Sequence, residues 1–130
     1  QLEEIKQIMQ SAKSAFPVDV VITHFQQDLH QDHRTVSEVT WQTLRDHLIL
    51  EYEILKYDGD IGRPNAFFPI SDSARKEKLE ALQKYFASQH DKDWFREEAF
   101  SAMLRIRGVE CRSPSGYAEA FHCRKAVILR

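Results

Sequence analysis

Seven consecutive residues, Asp28-Leu29-His30-Gln31-Asp32-His33-Arg34, hold two imidazoles, two carboxylates and a guanidinium. Histidine nitrogens and a carboxylate are the usual ligands of a zinc-type divalent cation. A catalytic zinc takes three such protein ligands and keeps a fourth position open for water. His30 and His33 are spaced i, i+3, so both rings reach one point if a helix starts between them. In that arrangement His33, in the first turn of the helix, is held by the backbone and is the candidate ligand. His30, in the loop just ahead, suits a proton donor or an oxyanion partner, with Asp32 placed to fix its tautomer. A plainer reading has Asp32 capping the helix and both histidines solvated. H-x-D-H is a short pattern, and spacing alone leaves both readings open.

The elements around the cluster predict how it is held. It follows Val18-Asp19-Val20-Val21-Ile22-Thr23-His24, whose β-branched run over residues 18–22 reads as a strand covered on both faces. Polar residues just past the C-terminal end of such a strand are where open α/β sheets place their active sites. Ahead of it, Leu2, Ile5, Met9, Ala12 and Phe16 form one helical stripe. Behind it, residues 32–47 read as a helix with Val36, Val39, Leu44 and Leu48 inward. Leu48, Leu50, Tyr52 and Ile54 then alternate with Glu51 and Glu53, a strand with one wetter face. Residues 56–65 form a loop carrying Asp58, Asp60 and Arg63, and residues 66–70 a short strand that Pro69 confines to an edge or an end. Ser71, Asp72 and Ser73 offer caps for a helix to residue 88 with Leu79, Leu82 and Phe86 inward. A further helix, residues 93–107, buries Phe95, Ala99, Ala102, Met103 and Ile106, with Gly108 as its C′ residue. Residues 112–116 turn, and 118–129 make a last strand. Helix and strand in alternation predict an α/β sheet.

Composition narrows the function classes. The chain has 130 residues, 42% of them hydrophobic, enough for the core of one domain. A net charge of −2 gives no overall field for nucleic acid or an anionic membrane. Cys111 and Cys123 form neither a disulfide framework nor a zinc ribbon and read as reduced thiols of a cytoplasmic protein. No apolar run is long enough for a membrane span, and no signal-peptide core is present. The first residue is Gln, and the helical stripe is already running there without a cap, which predicts a piece of a longer protein.

The segment Asp19-Val20-Val21-Ile22-Thr23-His24, followed by Asp28-Leu29-His30-Gln31-Asp32-His33-Arg34, resembles the second half of the active-site signature of the PIG-L/LmbE family of zinc-dependent de-N-acetylases. Arg63-Pro64-Asn65, Ser88-Gln89, Arg105 with Arg107-Gly108, and Gly116-Tyr117-Ala118-Glu119-Ala120-Phe121 fall in the family's order, so the likeness spans nearly the whole chain. It is nearest to the branch linked to bacterial surface-sugar biosynthesis. The resemblance implies a Rossmann-like three-layer α/β/α sandwich, here an incomplete C-terminal portion, that removes the acetyl group from an N-acetylglucosamine-type sugar. It implies His33 as a Zn2+ ligand, His30 as the electrostatic and proton-donating histidine, and Asp32 as the residue orienting His30. The family's first motif, His-Pro-Asp-Asp-Glu, supplies the other two ligands and the general base and does not occur in these 130 residues. The chain alone is therefore expected to be inactive, completed by a missing N-terminal portion or associating with copies of itself.

Other positions carry weaker expectations. Asp28 is a candidate substrate contact or an ordinary loop residue, and Arg63 a candidate for sugar hydroxyls or phosphate or a surface ion pair. His24 either faces the pocket or is a hydrogen-bonded structural histidine. Glu119 either partners Arg105 or lies exposed at a strand edge. His47, His90 and His122 read as surface or packing residues. Two other function classes stay in view: a non-catalytic sugar-binding or assembly subunit, and a His/Asp metal phosphohydrolase, against which the strand at 18–22 argues.

Overall fold

A computed structural model describes residues 1–128 and shows a mixed α/β fold. Its elements run α1 (Leu2–Ala15), β1 (Val20–His24), α2 (Gln31–Leu44), β2 (Leu48–Tyr52), β3 (Ala66–Pro69), α3 (Asp72–Tyr85), a 3₁₀ turn (Ala87–Gln89), α4 (Glu97–Glu110) and β4 (Ala118–Lys125). The four strands follow the order β1-β2-β4-β3 in one sheet, with β1 and β2 parallel and β2 and β4 antiparallel. Two compact units divide the chain. Gln1–Ile54, Asp60–Asn65 and residues 121–128 form the first; Leu55–Gly59 and Ala66–Ala120 form the second.

In the first unit, α2 is the crossover between the parallel strands β1 and β2, paired in register from Val20 with Leu48 to His24 with Tyr52. Its inward face buries Ser37, Val39, Thr40, Thr43 and Leu44, and Thr40 meets Thr23 of β1 through their hydroxyls at 3.1 Å. Ile49 and Glu51 of β2 are also fully buried. The expected wetter face of β2 is therefore wrong at Glu51. Its carboxylate accepts from the Ser37 hydroxyl at 2.8 Å and lies 3.5 Å from the Arg124 guanidinium, which in turn sits 4.3 Å from the Trp41 ring centroid. Burial raises the Glu51 pKa, against the lowering effects of Ser37 and Arg124.

β1 departs from expectation too. It begins and ends two residues later than the sequence run suggests, and it is not covered on both faces: Val20 and Ile22 are 46% and 58% exposed. Exposed Val20 and Ile22 alternate with the more buried Val21 and Thr23, so α2, which meets Thr23 through Thr40, covers one face and the other is left open; β2 is the one strand neighbour of β1 among the described residues. α1 buries none of its residues fully, and Leu2 and Phe16 of its stripe are exposed.

In the second unit, α3 is capped by Ser71, whose hydroxyl accepts from the Ala74 amide at 3.0 Å. Leu79 and Leu104 are buried, and Trp94, Phe95 and Phe100 meet edge to face. Phe86 and Ile106, expected in the buried stripes, are exposed, and Arg107 takes an inward position instead. Gly108 does not end α4 but lies inside it. A Cβ there would come within 2.0 Å of the Gly116 carbonyl oxygen, so only glycine permits this approach. Arg112 adopts the left-handed conformation past the helix end, with φ 54°. Glu119 pairs with Lys78, while Arg105 donates to the Gly116 carbonyl at 2.8 Å. The expected strand end at Leu129 lies outside the described residues.

Candidate active site

The H-x-D-H cluster is assembled at the C-terminal ends of β1 and β2. His24 ends β1 and Tyr52 ends β2, so parallel register puts them side by side, with the Tyr52 hydroxyl 3.1 Å from His24 Nε2 and 3.3 Å from Nδ1. After β1 the chain turns tightly, the Asp28 amide donating to the Phe25 carbonyl at 3.1 Å. The turn is pinned from two directions. Asp60 accepts from the Leu29 amide at 2.7 Å, and Arg34 donates to the Asp28 carbonyl at 3.0 Å. Gly62 lets the Asp60–Asn65 loop approach, since a Cβ there would stand 3.0 Å from the His122 ring and 3.3 Å from Phe25.

Asp28 is the hub of the cluster. The residue is only 3% exposed, and its carboxylate accepts from the His30 amide at 2.8 Å and meets His33 Nδ1 at 3.0 Å. Because a carboxylate can only accept, His33 Nδ1 carries the proton, and in the neutral ring Nε2 is left with the lone pair. A ligating histidine usually has this arrangement, its second nitrogen tied to a carboxylate. His30 is in the opposite tautomeric situation. It is the N-cap of α2, and its Nδ1 accepts from the Asp32 amide at 3.3 Å, so the neutral ring presents Nε2–H as a donor. The alternative in which Asp32 caps the helix is not the one that forms, since His30 holds the cap position. Asp32 sits in the first turn and reaches His30 through its backbone N–H, not its carboxylate.

The rings are close together. His33 lies 4.4 Å from His30 and 4.6 Å from His24, centroid to centroid. Burial lowers the His24 pKa, helped by the neighbouring His33 and opposed by Asp28. Burial raises that of the Tyr52 phenol, and the Asp28 charge adds to it.

Of the residues read from the sequence, the structure gathers His24, Asp28, His30, Asp32 and His33, and adds Tyr52. Arg63 lies in the loop that Asp60 anchors; it is exposed, and no hydrogen bond or ion pair engages it among the described residues. Beside Asp28 a cavity of about 10 Å³, lined also by Phe25, Glu53, Asp60 and His122 among others, has room for about one water molecule. It is too small for a sugar. Among the described residues no group of three or more His, Cys, Asp and Glu side chains is arranged to hold a metal ion. The donor chemistry fits one ligand, His33, backed by Asp28.

No protein-family model matches the sequence, and no curated protein matches it. Among solved structures, the conserved protein TT1542 from Thermus thermophilus aligns with 98% of this chain at a TM-score of 0.68 and 21% identity. The likeness shows the fold alone. This chain spans 61% of the length of that protein. No helix among the described residues is long and apolar enough to cross a membrane.

Proposed function

We propose that this chain is the C-terminal portion of a Rossmann-like three-layer domain whose complete form is a zinc-dependent de-N-acetylase. Its substrate is an N-acetylglucosamine-type sugar, in bacterial surface-polysaccharide or related glycan biosynthesis. The observation that carries this reading is the Asp28–His33 pair at a strand end, with His30 held beside it in the complementary tautomer.

His33 Nε2 would hold the zinc with one His and one Asp from outside this chain; the metal, when bound, supplies Lewis-acid polarisation of the attacking water and the amide carbonyl. His30 Nε2–H would donate a hydrogen bond to the oxyanion that develops on the acetyl carbonyl, and the proton that the general base takes from the attacking water would be the one returned to the departing amine. Asp28 keeps the proton off His33 Nε2 and ties the His30 backbone to the same carboxylate, so one buried anion sets both histidines. Arg63, exposed and uncommitted, is the candidate contact for sugar hydroxyls. The general base lies outside this chain, so the chain alone is inactive. The polypeptide that carries it adds to the open edge of β1, where Val20 and Ile22 are exposed.

The test is acetate release from N-acetylglucosamine glycosides by a longer protein that joins this chain to a His-Pro-Asp-Asp-Glu segment. Zinc-dependent release of acetate in step with free amine, lost in His33→Ala, is expected. Hydrolysis of phosphate esters in place of acetamides would overturn the proposal in favour of a phosphohydrolase. A folded, zinc-loaded protein inert toward every N-acetylated sugar would favour a non-catalytic subunit.

A further inference from the structure

His33 sits in the first turn of α2, the part of a helix with fewest backbone bonds to hold it. Of the two rings beside it, His30 is exposed, caps the same turn, and so shares any fraying there. His24 differs. It belongs to β1, it is half-buried, and its ring is tied to the Tyr52 hydroxyl across the parallel register of two strands. The hydrogen bond that His33 Nδ1 donates to Asp28 holds one edge of the ring, and turning the ring about its Cβ–Cγ bond would swing Nδ1 off the carboxylate and release the tautomer. A neighbouring ring 4.6 Å away, anchored in the sheet, limits that rotation.

We propose that His24 and Tyr52 are positioning residues: the phenol holds the His24 ring, and that ring sets the plane of His33, so the direction of His33 Nε2 is inherited from the strand ends and not from the helix turn. Neither residue needs to touch substrate for this. The functional weight of the clamp rests on the reading of His33 as a ligand, but the clamp itself is a property of this chain and can be measured in it.

The experiment is histidine side-chain NMR on the chain labelled with 15N-histidine, comparing the native sequence with Tyr52→Phe and His24→Ala. Thermal unfolding, run alongside, reports the global fold. The native chain should give one fixed pattern for His33, protonated at Nδ1. His24→Ala should lose that pattern to averaging between tautomers, and Tyr52→Phe, which deletes only one oxygen, should move part of the way, with the backbone amide spectrum retained in both. An unchanged His33 pattern in folded variants would overturn the clamp, and so would a native His33 that is already averaged. If His24→Ala does not fold, Tyr52→Phe decides. Collapse of the fold in Tyr52→Phe would also overturn the proposal, because the pair would then serve the core. Failure of the deacetylase reading appears separately, as absent acetate release by the longer protein, and leaves these spectra as they are.

Discussion

Asp28→Asn perturbs the site with almost no change of shape. The native carboxylate accepts from the His30 amide at 2.8 Å through Oδ1 and from the His33 ring at 3.0 Å through Oδ2. Asparagine offers one acceptor oxygen and one NH2. If the oxygen stays with the His30 amide, the NH2 faces His33 Nδ1, which must then lose its proton and accept. The proton moves to Nε2, the atom required to bind metal. Exchanging a buried charge-assisted hydrogen bond for a neutral one costs roughly 1 kcal/mol, measurable against a stability of about 5–15 kcal/mol. Urea denaturation of the chain reads that cost. The 15N shifts of His33 read the tautomer directly, and in the longer protein zinc affinity should fall about 10–100-fold, as when a ligand's supporting carboxylate is removed. A His33 ring that stays protonated at Nδ1 in Asp28→Asn, with unchanged stability, would refute the assignment of Asp28 as its anchor.

In the longer protein His30→Ala should leave zinc bound and lower kcat by on the order of 10²–10³, the usual loss for one oxyanion donor. Asp32→Asn should change kcat less than about twofold, since the backbone N–H that holds His30 is kept; a large loss would return the orienting role to the Asp32 carboxylate. Arg124→Met strands the buried Glu51 carboxylate and should cost about 3–5 kcal/mol in chemical denaturation. Because burial raises the Glu51 pKa in the folded chain, its contribution to stability is largest on the acid side of the ordinary glutamate value and is lost as pH rises through the folded value. Glu51→Gln should flatten that part of the pH–stability curve. The open β1 edge should make the isolated chain associate at micromolar concentration, and Ile22→Lys should suppress this in light scattering. A cooperatively folding native monomer would contradict the open edge.

The site was legible where its parts are neighbours in sequence. His30, His33 and Asp28 lie within six residues, and a helix start between them was enough to bring them together. The finer roles were not legible, because they depend on which atom does the work. His30 took the cap position itself, so Asp32 was left to contribute its amide. Tyr52 and His24 meet only through the register of two parallel strands, which alternation of residue types cannot specify. Glu51 is inward because Ser37 and Arg124 meet it from distant parts of the chain, and Val20 and Ile22 are outward because α2 covers the opposite face of β1. Gly108 carried a correct signal with the wrong position, since close backbone approach and helix termination call for the same residue.

Zinc titration of the 130-residue chain beside the longer protein tests most directly whether His33 is one ligand of a shared site. The longer protein should bind one zinc tightly and lose it in His33→Ala, while the chain alone should bind only weakly, as expected where two of three ligands are supplied from elsewhere. Stoichiometric binding by the chain alone, at about micromolar affinity or tighter, would contradict this, as would a longer protein that keeps its zinc in His33→Ala.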